Sequence, residues 1–120
     1  MNRLTVSAIA LTLALAALIA VLTLVRIPVP SGVGGSDKLH HVIGFAALAL
    51  PIACVRPRWS LHVAMILAIY GGVIELVQPH VGRARELADW MADLAGIGLG
   101  TAIGIGLNRA VMLGRARRRA

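Results

Sequence analysis

The sequence predicts an all-α polytopic membrane protein with four transmembrane helices arranged as two hairpins and with both termini in the cytoplasm. The composition is the first indication of a membrane protein, because 58% of the 120 residues are apolar and only 14% are charged. The mean hydropathy is +0.84. A soluble domain of this length could not bury so much apolar surface. The length also predicts one domain, covering residues 1–120.

Four segments have about the 20 largely apolar residues that a bilayer-spanning helix needs. They cover residues 4–25, 39–55, 61–78 and 90–111. The first segment could instead be a secretory signal peptide, because Arg3 precedes an apolar stretch. The apolar run is longer than the ~7–15 residues of a signal core, and no clean small-x-small cleavage site precedes Arg26. A retained first helix is therefore the favoured interpretation.

The distribution of basic residues predicts the orientation, because cytoplasmic ends of membrane helices carry the excess of Lys and Arg. An inside amino terminus places eight basic residues in the cytoplasm: Arg3, Arg56, Arg58, Arg109, Arg115, Arg117, Arg118 and Arg119. Four fall outside: Arg26, Lys38, Arg83 and Arg85. The localisation expected is a bacterial inner membrane. The net charge of +7 then reflects topology and attraction to anionic lipids, and no base-reading module indicates a nucleic-acid partner.

Polar residues concentrate in two windows, 37–41 and 75–93, which hold all five acidic residues and three of the four histidines. Ionisable side chains in a membrane protein usually face the bundle interior or water and mark a functional site. The loop at residues 28–35 and the break at Gln78-Pro79 put both windows on the outer side. Glycines at spacing four, Gly96, Gly100 and Gly104, predict close helix packing beneath the acids of the fourth helix.

These residues also follow an order typical of one family. The pattern is Asp37-Lys38-x-x-His41-x-x-x-Phe45-x-x-Leu48, then Glu75-x-x-Gln78, then Gly82-Arg83, with Asp89 six residues later. It resembles the VanZ-like family of small bacterial membrane proteins over residues 37–104. The resemblance implies a cell-envelope function and carries the family's association with teicoplanin resistance. Similar members often have Asn where this chain has Asp93, whose extra charge could be neutralised by protonation or by Arg83 or Arg85.

The favoured functional hypothesis is an outward-facing site that recognises an anionic lipid or a lipid-linked cell-envelope precursor, with a possible effect on glycopeptide sensitivity. Lys38, Arg83 and Arg85 suit a phosphate or carboxylate. The predicted ligand-binding residues are Asp37, Lys38, His41, Glu75, Gln78, Arg83, Asp89 and Asp93.

Two alternatives remain open. The first is a membrane enzyme acting on a lipid-linked substrate, with candidate catalytic residues His41, Glu75 and Asp89 supplying acid–base chemistry. The second is a noncatalytic helper subunit whose polar cluster is an ion-paired clasp that fixes helix register. No recognised metal-ligand spacing is present, so no metal and no cofactor are predicted. The partners expected are membrane lipids, and the sequence leaves the oligomeric state open.

Overall fold

The computed structural model describes residues 1–25 and 36–120, and the side chains from residue 38 onward in the second range. It contains four long helices: α1 (Arg3–Leu24), α2 (Ser36–Val55), α3 (Ser60–Val77) and α4 (Leu87–Arg117). Short 3-10 turns at Pro57–Trp59 and Gln78–Val81 flank α3. Residues 26–35, which include the predicted loop at 28–35 and Arg26, lie outside the described residues, as does the side chain of Asp37.

All four helices are long and apolar enough to cross a membrane, which confirms the predicted all-α fold with four transmembrane helices. The outward faces are apolar, as lipid contact requires; Leu61, Ile66 and Ile69 on α3 are more than 60% exposed. The chain is therefore a multi-pass membrane protein in contact with lipids. Helix α4 has 31 residues and so extends for about 46 Å, which exceeds the ~30 Å hydrocarbon layer. The helix is therefore long enough for its basic end, with Arg115 and Arg117, to extend beyond the hydrocarbon layer.

The closest packing in the protein joins α2 and α4 along the predicted glycine seam. Gly96 lies against the backbone of Val42, and Gly100 lies against the backbone of Ala46. Further along, Asn108 Nδ2 donates a hydrogen bond to the carbonyl oxygen of Cys54 at 2.7 Å. Because contacts advance in the same order on both helices, α2 and α4 run in the same direction.

Helix α1 packs against α2 in the opposite direction and is held by hydroxyl groups. The Thr12 hydroxyl donates to the carbonyl oxygen of Leu48 at 3.2 Å. At the start of α1, Arg56 Nε donates to Thr5 Oγ1 at 3.0 Å. The Asn2 side chain caps this end by accepting from the backbone N–H of Thr5. Such hydrogen bonds between helices help to hold a bundle together in lipid, where apolar burial drives association little.

A small apolar core lies where α2, α3 and α4 meet, and it sits directly below the polar end of the bundle. It comprises Phe45, Leu48, Ala49, Leu67 and Ile97. Phe45 packs against the ring of Tyr70 with 5.9 Å between the ring centroids. Trp90 Nε1 donates to the carbonyl oxygen of Ala68 at 3.0 Å, which ties the start of α4 to α3. This core fixes the positions of the three helices that carry the polar residues.

Candidate functional site

His41 on α2 is the centre of a buried polar cluster at one end of the bundle. Its Nδ1 atom lies 2.7 Å from Asp93 Oδ1, and its Nε2 atom lies 3.9 Å from Asp89 Oδ2. When Asp93 is ionised, its carboxylate only accepts hydrogen bonds, and the Nδ1–H of His41 is then the donor in this contact. Asp89 and Asp93 are one helical turn apart and therefore share the face of α4 that meets α2. The close approach at Gly96 brings this face within reach of the imidazole ring.

The second oxygen of Asp93 points toward α3, where Gly71 provides the space for it. A Cβ atom at Gly71 would lie 2.7 Å from Asp93 Oδ2. Asp93 is 1% exposed, and Oδ2 has no hydrogen-bond partner in the described part of the chain. The sequence suggested a pairing of Asp93 with Arg83 or Arg85, whereas the structure pairs it with His41. The sequence does not predict that Gly71 makes room for the Asp93 carboxylate. It does place Gly71 one helical turn before Glu75, on the face of α3 that carries the polar residues.

Glu75 lies one helical turn beyond Gly71, near the end of α3, and connects this cluster to the start of α4. Its Oε2 atom accepts a hydrogen bond from the backbone N–H of Glu86 at 3.1 Å. Its Oε1 atom is buried and has no hydrogen-bond partner among the residues that the structure describes. The same is true of Gln78 Oε1, one turn further along. Two buried acceptors thus lie close together in sequence at the C-terminal end of α3.

Arg83 holds the end of α1 against this side of the protein. Its Nη1 atom donates to the carbonyl oxygen of Thr23 at 2.9 Å and to that of Leu22 at 3.4 Å. A cation at a helix C-terminus is favourable because the last carbonyl groups lack helical partners. Gly82, in the left-handed conformation with φ of 75°, ends the preceding turn and allows the chain to turn toward α1.

Lys38 forms an exposed ion pair with Glu86, with 3.5 Å between Nζ and Oε2. Both side chains are about half exposed, and pairs of this kind contribute little to stability. Glu86 nevertheless joins two parts of the site, because its backbone N–H donates to Glu75 while its side chain meets Lys38. Two of the cations expected to hold an anion, Lys38 and Arg83, are therefore engaged with protein atoms.

A groove of about 440 Å³ runs between α3 and α4 on the lipid-facing side of the cluster. Its walls are mainly apolar and include Ile69, Val73 and Leu76 from α3 and Leu87 and Trp90 from α4. Glu75 and Arg85 also line it. Arg85 is exposed and forms no ion pair or hydrogen bond with any other described residue. The sequence indicates Arg85 as an anion-binding cation and indicates a shallow pocket among the last three helices, whereas the position of the groove between α3 and α4 depends on the angle between those two helices.

The structure thus brings most of the predicted ligand-binding residues to one end of the bundle, in three different settings. His41 contacts Asp93 and Asp89, and Glu75 and Gln78 are buried at the C-terminal end of α3. Lys38 and Arg83 make the contacts given above, and the side chain of Asp37 lies outside the described residues. Within the described ranges, no group of three His, Cys, Asp or Glu side chains is arranged to hold a metal ion.

The chain matches no protein-family model, no curated protein sequence and no solved structure.

Proposed function

We propose that the chain is a VanZ-like protein of a bacterial inner membrane, with two helical hairpins, both termini in the cytoplasm and the polar end on the periplasmic side. In this proposal the polar end binds an anionic lipid or a lipid-linked cell-envelope precursor. An effect on teicoplanin sensitivity would follow from altered presentation of such a lipid. The observation that carries the proposal is the apolar groove between α3 and α4, which is lined at its polar end by an exposed Arg85.

The groove and its arginine have the two properties that a lipid ligand requires. An acyl chain can lie against Ile69, Val73 and Leu87, while a phosphate can accept hydrogen bonds from the guanidinium group of Arg85. The volume of about 440 Å³ lies within the range of known small-molecule sites. Arg85 suits the role better than Lys38 or Arg83, because those two side chains already contact protein atoms.

Replacing Arg85 with alanine is expected to lower affinity for phosphatidylglycerol about tenfold, because one charge-assisted hydrogen-bonding group is lost. Binding can be measured by native mass spectrometry of the detergent-purified protein titrated with the lipid. The matched control is Arg58→Ala, which removes an exposed arginine from the turn before α3. Equal affinity of the wild type and the Arg85 variant would refute the proposed site.

A membrane enzyme is the second candidate, and the 2.7 Å contact between His41 Nδ1 and Asp93 favours it. A carboxylate that orients an imidazole through one nitrogen leaves the other nitrogen to act as a general base. Here Nε2 faces Asp89 at 3.9 Å, and the His41 side chain is only 8% exposed. Limited access to a substrate makes binding without turnover the better-supported function.

Incubation of the purified protein with an extract of bacterial envelope lipids should therefore leave the lipid masses unchanged. Mass spectrometry before and after incubation measures this directly. A product that forms with the wild type, and fails to form with a folded His41→Asn variant, would instead establish the enzymatic alternative.

A further inference from the structure

The floor of the groove between α3 and α4 is formed by the two smallest residues that line it, Ala68 and Gly72, which lie one helical turn apart. Both lie beside Trp90. The indole Nε1 donates to the carbonyl oxygen of Ala68 at 3.0 Å, and a Cβ atom at Gly72 would lie 3.5 Å from the same nitrogen. The next row on α3, Ile69 and Val73, is half exposed or more and forms the outer rim. The groove floor is therefore one row of small residues between an indole ring and a row of branched side chains.

The groove has room for one hydrocarbon chain. A methylene group is about as large as a water molecule, whose share of liquid volume is ~30 Å³, so 440 Å³ holds roughly 15 methylenes. That is close to one palmitoyl chain and about half of the hydrocarbon in a two-chain phospholipid. Arg85 lines the same groove and supplies the positive charge that a phosphate at the end of this chain requires.

A chain that enters the groove from the bilayer does not leave water, so shape decides whether it binds there. Lipid tails are as apolar as the groove walls, and the transfer carries little hydrophobic free energy. The attraction comes instead from many weak, short-range contacts with the indole ring and the groove floor. Gly72 keeps this space open because it has no side chain to fill it.

We propose that the groove recognises lipid phosphates through a single hydrocarbon chain, which lies on the groove floor with its phosphate at Arg85, and that Gly72 is the residue that admits this chain. This inference rests on the proposed lipid-binding function and names the class of lipid. Lysophospholipids and long-chain isoprenoid phosphates both belong to this class. The second chain of a diacyl phospholipid stays in the surrounding bilayer and adds no contact.

Two lipids that differ by one chain provide a test on the wild-type protein. Dipalmitoyl phosphatidylglycerol and palmitoyl lysophosphatidylglycerol should bind with equal affinity, within a factor of about three, in native mass spectrometry in one detergent. A larger advantage of the two-chain lipid would overturn the inference. Geranylgeranyl phosphate is the isoprenoid probe. Whichever single-chain lipid binds more tightly identifies the chain as straight or branched, and either order supports the inference.

Gly72→Leu tests whether the groove floor admits the chain, because the new side chain fills the space beside Trp90. It should weaken the binding of both palmitoyl lipids about tenfold through the lost chain contacts. The matched control is Gly106→Leu, which makes the same change outside the groove. An added Cβ there meets no atom within 4 Å apart from its own helix backbone and chain neighbours, and this variant should bind like the wild type.

Gly72→Ala keeps the test available where the leucine variant fails to fold, since its Cβ would lie at an ordinary contact distance from the indole ring. It should show a smaller loss of affinity. Unchanged binding by the folded Gly72 variants would overturn the placement of the chain on the groove floor.

Fluorescence quenching locates the chain, because Trp90 lines the groove. The sequence has two tryptophans, so Trp90 is the only one left in a Trp59→Phe background. Lysophosphatidylglycerol brominated in the middle of its chain should quench Trp90. The quenching should fall in the Gly72→Leu variant and persist in the Gly106→Leu variant. Equal quenching in these two variants would show that the chain lies elsewhere and would overturn the inference.

Failure of the single-chain inference differs from failure of the proposed function. Binding that depends on Arg85 but favours the two-chain lipid, or that is indifferent to Gly72→Leu, would overturn the inference and leave the proposed function standing. An absence of lipid binding, or binding that is indifferent to Arg85→Ala, would overturn both.

Discussion

Replacement of Gly100 by alanine is expected to destabilise the protein by about 3 kcal/mol, the upper end of typical overpacking costs. A Cβ atom there would overlap the carbonyl oxygen of Ala46 and lie 2.8 Å from the Cα atom of the same residue. These are backbone atoms of a helix, so they cannot rotate away as a side chain would. Helices α2 and α4 would have to separate, which would also pull His41 away from Asp93.

The same helix provides matched controls for this substitution. Gly98 and Gly106 have no atom within 4 Å of an added Cβ, apart from their own helix backbone and chain neighbours. Alanine at either position should leave stability unchanged or raise it by up to ~1 kcal/mol, because alanine favours helix formation over glycine. Thermal unfolding in detergent, followed by circular dichroism, measures the three variants. Equal melting temperatures of the Gly100→Ala and Gly98→Ala variants would contradict the close packing of α2 against α4.

The four helices could be predicted because bilayer thickness sets a length and composition that a sequence displays directly. The predicted segment at residues 90–111 was nevertheless too short at both ends, since α4 covers Leu87–Arg117. An apolar window detects where a helix contacts lipid. It does not detect helical turns in water, such as those around Arg115, or a first turn that contains Asp89.

The gathering of polar residues was predictable in part, because helical periodicity places His41 on one face of α2, and Asp89 and Asp93 on one face of α4. Periodicity does not say which helices pair or how far one slides along another. The glycine seam indicated close packing of α4, but only the structure identifies α2 as the neighbour and sets Gly96 against Val42.

The partners of the charged side chains were the least predictable feature. Arg83 and Arg85 are the cations nearest to Glu86 in the sequence, yet Glu86 pairs with Lys38. Arg83 reaches instead to the last carbonyl groups of α1, which are more than 55 residues away in the chain. Long flexible side chains can reach many partners, so differences of an ångström in backbone position decide between them. Sequence spacing carries no information on that scale.

Removal of either side chain of the His41–Asp93 pair is the second substitution with a large expected effect. His41→Ala would leave a carboxylate that is 1% exposed without its N–H donor, and Asp93→Ala would leave a buried imidazole without its acceptor. Removing one partner leaves the other buried and unsatisfied, which costs about 1–3 kcal/mol for a neutral group and about 3–5 kcal/mol for a charged one. The double variant should lose less than the sum of the two single losses, by about 1–3 kcal/mol, because the residues are in contact.

These four proteins form a double-mutant cycle. We would measure the free energy of unfolding of the wild type, the two single variants and the double variant in the same detergent. The matched control is His40→Ala, which removes the adjacent, exposed histidine and should change stability by no more than about 0.5 kcal/mol. Strictly additive losses would show that His41 and Asp93 do not interact.

Lipid binding by the folded fraction of each variant then separates two roles of the pair. If the pair is a clasp that only fixes helix register, its loss should lower stability while lipid affinity persists, because Arg85 still lines the groove. Asp93→Asn makes the distinction sharper, since an amide oxygen can still accept from His41 Nδ1 without the carboxylate charge. If this variant keeps near wild-type stability but changes lipid affinity, the charge of Asp93 contributes to ligand binding in addition to its structural contact.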